Sequence, residues 1–111
     1  MKNPSPAPAY VMLYECLCEV AREHGYALAI HGTMQRDLDL VAIPWVDEAG
    51  DPEILIEALR KRGQHWMFEE PEGERPPVYK PTLKPQGRVA YSLTIMGGRF
   101  VDISVMPRVT K

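Results

Sequence analysis

The stretch RVAYSLTIMGGRFVDISVM, residues 88–106, most limits what this chain can become. Side chains along a strand alternate between two faces. Over 88–96, Val89, Tyr91, Leu93 and Ile95 share one face, and Ala90, Ser92 and Thr94 share the other. Gly97-Gly98 fits a two-residue hairpin turn. Over 99–106, Val101, Ile103 and Val105 oppose Phe100, Asp102 and Ser104, and Pro107 ends the strand. A lone hairpin is marginal in water, so its apolar face must be covered by something else. Asp102, flanked by Val101 and Ile103, also needs a partner, because an unpaired carboxylate inside a sheet is costly.

Two amphipathic segments can supply the cover. Over 9–24, Leu13, Cys16, Leu17, Val20, Ala21 and His24 recur at helical spacing, and Gly25 follows where a left-handed C-cap belongs. His24 at that end reads as a helix-terminus charge rather than a ligand. Asp51-Pro52 opens a second helix over 51–62 as N-cap and first-turn proline. Its apolar stripe is Ile54, Leu55, Ala58 and Leu59, its last turn carries Lys61 and Arg62, and Gly63 caps it. Two further strands fit 26–31 (YALAIH) and 37–44 (DLDLVAIP). The order of these segments predicts an α+β fold: a four-stranded mixed sheet with both helices packed on one face.

The remainder carries no periodic apolar set. Residues 1–8 are proline-rich and read as irregular, so a single domain is expected over 9–111. Residues 64–68 suit a short strand. Residues 69–87 read as a long loop, more mobile than the strands, with Arg75, Lys80 and Lys84 as its basic members. The N-terminus has one lysine and no apolar core of a signal peptide, and no apolar run reaches membrane length, so a cytoplasmic protein away from membranes is expected. A net charge of −2 gives no global case for nucleic acid or an anionic membrane. Cys16 and Cys18 lie about 200° apart on a helix and cannot easily pair or share a metal. Cys16 is expected to face the core and Cys18 solvent; a reactive thiol has no local histidine or basic cluster to activate it.

The chemistry concentrates in His31–Trp45, HGTMQRDLDLVAIPW. On a strand Asp37 and Asp39 share a face, about 7 Å apart. If Leu38, Leu40 and Ala42 meet the helices, both carboxylates lie on the open face, the face that also takes Asp102. Were these strands neighbours, all three acids would come within reach of one site. Hard divalent cations take such oxygen ligands. Like charges so close would raise at least one pKa. The plain alternative is an exposed strand start with two solvated acids, since a lone D-x-D is a weak motif.

This order resembles the nucleotidyltransferase superfamily, the DNA polymerase β-like proteins: a helix, a strand ending in Gly-Thr, a strand bearing Asp-x-Asp, a helix, then a hairpin with a third aspartate. The similarity covers roughly residues 9–106. The core H-G-S/T-x-x-R-D-x-D-L also resembles small proteins common in phages and prophages. The resemblance implies a nucleotidyltransferase-like fold in which Asp37, Asp39 and Asp102 are catalytic and metal-binding, holding Mg²⁺ or Mn²⁺. It implies that Gly32, Thr33 and Arg36 bind nucleotide, and that a nucleoside triphosphate is the ligand, with nucleotidyl transfer as the reaction. Only Met34, Gln35 and Arg36 separate Thr33 from Asp37, too few for the phosphate-cradling helix usual in the family. Phosphate binding would then fall to the turn backbone, Arg36 and the basic loop. In strand geometry Arg36 points away from Asp37, so such a role needs the turn to redirect it; otherwise it makes a surface ion pair. Two other readings stand beside an active enzyme. One is an inactive member of the fold that binds a protein partner, such as a phage accessory protein. The other is a structural domain whose aspartates are surface acids.

Overall fold

A computed structural model describes residues 7–63, 81–95 and 99–108. The elements in chain order are α1 (Ala7–Glu23), β1 (Tyr26–His31), β2 (Leu38–Pro44), α2 (Pro52–Gly63), β3 (Thr82–Leu83), a 3₁₀ turn (Pro85–Gly87), β4 (Val89–Ile95) and β5 (Arg99–Val105). The expected strand over 64–68, the Gly-Gly turn, the first part of the long loop and residues 1–6 lie outside the described residues.

The sheet has five strands in the order β1-β2-β5-β4-β3, with β2 and β5 parallel and every other pair antiparallel. The expected mixed sheet therefore gains one strand. The extra strand, β3, is two residues long and pairs Thr82 with Ala90 and Leu83 with Val89. Prolines at 81 and 85 mask it in the sequence, but an edge strand tolerates flanking proline because its outer N–H groups need no partner. The turn behind it closes through the Lys84 N–H, which donates to the Arg88 carbonyl at 2.8 Å. Gln86 and Gly87 take left-handed φ values of 66° and 75° to make that reversal.

Both helices cover one face of the sheet. Tyr10, Leu13, Leu17 and Ala21 of α1 and Leu55, Ile56 and Leu59 of α2 join Leu38, Leu40, Ala42, Val101, Ile103, Val105, Tyr91 and Leu93 in one buried cluster. The central strands β2 and β5 contribute fully buried residues at every second position, which is what alternation requires of a one-sided sheet. Helix α1 starts at Ala7, earlier than its apolar stripe indicates, because Pro8 lacks only an N–H that the first turn leaves unbonded anyway. Cys18 corrects the expectation of a solvent-facing thiol: it is half-buried and packs on the core beside Tyr14. Helix α2 is capped as expected, with the Asp51 carboxylate accepting the Glu53 N–H at 2.8 Å. Gly63 is buried in its last turn rather than standing beyond it. No helix among the described residues is long and apolar enough to cross a membrane.

Three tyrosine hydroxyls link the elements, Tyr14 of α1 to strand β1, and Tyr10 and Tyr26 to loops. Tyr14 donates to the Leu28 carbonyl at 2.7 Å and Tyr26 to the Gly50 carbonyl at 2.8 Å. Tyr10, fully buried, donates to the Arg36 carbonyl. Burial pushes the Tyr10 hydroxyl pKa up, which keeps it a neutral donor. The bond fixes the β1–β2 connection, residues 32–37, against α1. That connection delivers the acidic residues to the open face.

Candidate functional site

The ladder registers line up four side chains straight across the helix-free face. His31 pairs with Asp39, Asp39 with Asp102, and Asp102 with Ser92. Neighbouring strands lie about 4.8 Å apart, so the row places two carboxyl groups side by side. Parallel pairing of β2 with β5 is what makes them neighbours. Ser92 Oγ donates to Asp102 Oδ1 at 2.6 Å and orients it. This is the partner that a carboxylate between valine and isoleucine required.

Gly32 has a role beyond the turn. Its φ is +77°, and a Cβ there would stand 2.9 Å from Asp39 Oδ2. The missing side chain is the space into which the Asp39 carboxylate fits. Thr33 is exposed, and its Oγ1 accepts the Gln35 N–H at 3.4 Å, a local turn bond. Met34 takes a φ of 57°. Arg36 is exposed, and its backbone carbonyl, held by Tyr10, is engaged rather than its guanidinium.

Asp37 stands apart from the row. It precedes β2, and its Oδ1 accepts the Phe100 N–H at 3.1 Å, which extends the β2–β5 edge. The structure thus joins Asp39 with Asp102 and leaves Asp37 close by but committed to backbone. Among the described residues, no group of three or more His, Cys, Asp and Glu side chains is already arranged to hold a metal ion.

Burial pushes the Asp39 carboxyl above the usual carboxylate range. The Asp102 charge raises it further, His31 opposes, and Asp37 and a hydrogen bond shared with Asp102 add smaller increments. A raised folded-state pKa favours protonated Asp39 in the native chain. Its contribution to stability is therefore present in acid and is lost as pH rises through the raised value. Asp39→Asn should melt with the parent chain near pH 4 and above it near neutral pH, in line with carboxylate titration. Melting temperature against pH for the two proteins checks this; parallel curves would show that Asp39 does not titrate abnormally.

A groove of about 460 Å³ opens over this row. His31, Asp39 and Asp102 line one end, and Lys84 and Arg88 line the other, with Ser104 between. Sequence reasoning placed Lys84 in a basic loop and left Arg88 without a role. Alternation continued back from Ala90 and Ser92 would have put Arg88 on the same open face. A pair of adjacent carboxyls facing basic groups across a groove can hold a hard cation, share a proton, or take a proton from a bound hydroxyl.

No family model matches the sequence, and no curated protein matches it. Among solved structures, a chain described as "structure of GLD-2/RNP-8 complex" aligns over 89% of this chain at 13% identity, with a TM-score of 0.46. This chain spans 38% of the length of that one. A likeness at that score carries no weight for fold or function.

Proposed function

We propose that the open face is a divalent-cation and nucleotide site of the nucleotidyltransferase type, with Asp39 and Asp102 as the cation ligands. The observation that supports this most is the side-by-side placement of these two carboxyls on parallel strands, beneath a groove with basic groups opposite. Mg²⁺ suits such a pair, because it is commonly held by one or two carboxylates, with waters and substrate phosphates completing its shell. A closed cage of three protein ligands is not needed. Asp37 stays beside the pair, its carboxylate accepting the Phe100 N–H, and is not counted among the ligands.

The chain's own residues would divide the work. Asp39 and Asp102 bind, Ser92 holds Asp102 in place, and Gly32 leaves Asp39 its room. His31, next in the row, eases ionisation of Asp39. Bound there, a divalent cation would neutralise charge on the phosphates and acidify an attacking hydroxyl. Gly32 and Thr33 complete the nucleotide site that the resemblance implies; the exposed Arg36 guanidinium, outside the groove's lining, is assigned no part in it.

A second reading, an inactive member of the fold that binds a protein, is favoured by large apolar side chains beyond the carboxylates. Trp45 is 76% exposed, and Ile43 and Val46 are exposed beside it. Melting the chain with Mn²⁺ or Mg²⁺ and ATP or CTP, against EDTA, separates the two. A cation-dependent rise, with label transfer from an α-phosphate-labelled nucleotide, supports the enzyme. No rise and no transfer leaves the protein-binding reading.

A further inference from the structure

We propose that Lys84 and Arg88 form the seat for the triphosphate chain of the groove's ligand, on the side of the carboxylate row away from the Gly32–Thr33 turn. The inference deepens the cation and nucleotide reading and rests on it for the occupant of the acidic end. The sheet register sets the directions. In the carboxylate row, His31, Asp39, Asp102 and Ser92 are aligned. One step further along the strands, Ala29, Val41, Ser104, Ala90 and Thr82 form the next row. Arg88 and Lys84 lie beyond that second row. Gly32, Thr33 and Asp37 lie on the other side of the first.

Arg88 reaches back toward the acids. Its NH1 donates to Ser104 Oγ at 3.4 Å and its Nε to the Pro85 carbonyl at 3.1 Å. The guanidinium is thereby held at the Ser104 row, one strand repeat of about 7 Å from the carboxylates. A phosphate chain can span that gap, meeting a cation at one end and the guanidinium at the other. Both partners of the guanidinium are neutral. Among the described residues, neither Arg88 nor Lys84 forms an ion pair, whereas Arg60 and Arg62 do. Two cations with no ion-pair partner among the described residues, at the mouth of a groove, suit an anionic ligand. Arg is the side chain best suited to planar recognition of phosphate oxygens.

The local backbone brings the pair together. The Lys84 N–H to Arg88 carbonyl bond closes the turn, and the left-handed Gln86 and Gly87 let the chain reverse within it. Pro85 stiffens its start. Ala90, between Arg88 and Ser92 on the same face, leaves the floor low, and a groove of about 460 Å³ is of ligand size. The net charge of −2 means that this attraction comes from the two placed side chains rather than from the field of the whole chain.

Calorimetric titration of the full chain tests the seat with three probes: MnCl₂ alone, sodium tripolyphosphate with and without Mn²⁺, and ATP with Mn²⁺. The proteins are the parent chain, Lys84→Glu, Arg88→Ala, Arg88→Lys and Arg36→Ala. Both phosphate probes should weaken about tenfold or more in Lys84→Glu and Arg88→Ala, the loss of a charge-assisted bond. Arg88→Lys should fall between, Arg36→Ala should match the parent, and Mn²⁺ alone should bind all five alike. ATP binding more tightly than tripolyphosphate, both measured with the same Mn²⁺, identifies a nucleotide as the source of the phosphates; equal affinity identifies the phosphate chain alone. Lys84 is exposed and its side chain makes no hydrogen bond or ion pair among the described residues, so Lys84→Glu remains decisive if Arg88→Ala misfolds. Tripolyphosphate affinity unchanged in Lys84→Glu, or lost instead in Arg36→Ala, overturns the seat. Mn²⁺ binding without any phosphate binding overturns the seat and leaves the cation site standing. Phosphate binding lost in the variants, with no Mn²⁺ binding anywhere, keeps the seat and overturns the cation site.

Discussion

Gly25→Ala should lower stability by about 2–4 kcal/mol, enough to depress the melting temperature by roughly 10 °C or more. Two costs combine there. Gly25 has φ +84°, a conformation in which a side chain is strained. Its added Cβ would also stand 2.8 Å from Val46 Cγ2 and 2.9 Å from the Ala49 Cα. The second contact is backbone and cannot rotate aside. That backbone is pinned, since the Gly50 N–H donates to the His24 carbonyl at 2.9 Å and the Trp45 N–H to the Gly25 carbonyl at 2.8 Å. Gly50→Ala is the control: its Cβ would meet the His24 carbonyl oxygen at 3.6 Å and His24 Nδ1 at 3.9 Å, ordinary contacts. Thermal melts of both variants decide the matter. Equal melting temperatures would mean that the segment 45–50 yields and the crossing is not rigid.

Gly25 also shows which kind of inference travels from sequence to structure. Its place after a helical stripe marks a left-handed cap, and the cap is there. Period-two alternation likewise assigns the faces of β2, β4 and β5, because a sheet buried on one side must follow it. Alternation does not fix which strands are neighbours. That Asp39 and Asp102 face each other depends on β5 entering between β2 and β4, a choice made by the packing of the whole chain. The same rule misleads at Asp37. It shares parity with Asp39, but it lies outside the strand, where the adjoining β5 backbone offers an N–H and the carboxylate takes it. Arg36 is legible only as a charge, since its carbonyl, held by Tyr10, is what the fold uses. β3 was hidden because two residues between prolines carry no periodicity at all.

Replacing either neighbouring carboxylate should abolish stabilisation by a divalent cation without harming the apo fold. A cation that binds only the native chain adds about 2.7 kcal/mol when its concentration is a hundred times its dissociation constant. For a chain of this length that is roughly a 10 °C rise in melting temperature. Asp39→Asn removes one ligand and with it the repulsion from Asp102, the largest influence on Asp39 after burial. Asp102→Asn removes the other ligand, and its side-chain oxygen can still accept from Ser92 Oγ. Both variants should therefore melt at or above the parent chain in EDTA and show no rise with Mn²⁺. Asp37→Asn behaves differently, because its amide oxygen can still accept the Phe100 N–H and it stands outside the row. It should keep most of the rise. Glu57→Gln, on the exposed side of α2 where Glu57 pairs with Arg60, controls for loss of one negative charge anywhere on the surface. Melting each protein across a Mn²⁺ titration gives the ranking. An equal rise in the parent chain, Asp39→Asn and Asp102→Asn would remove these two carboxylates from the cation site. A rise lost only in Asp37→Asn would move the site to the start of β2, where Asp37 would have to exchange its backbone bond for the metal.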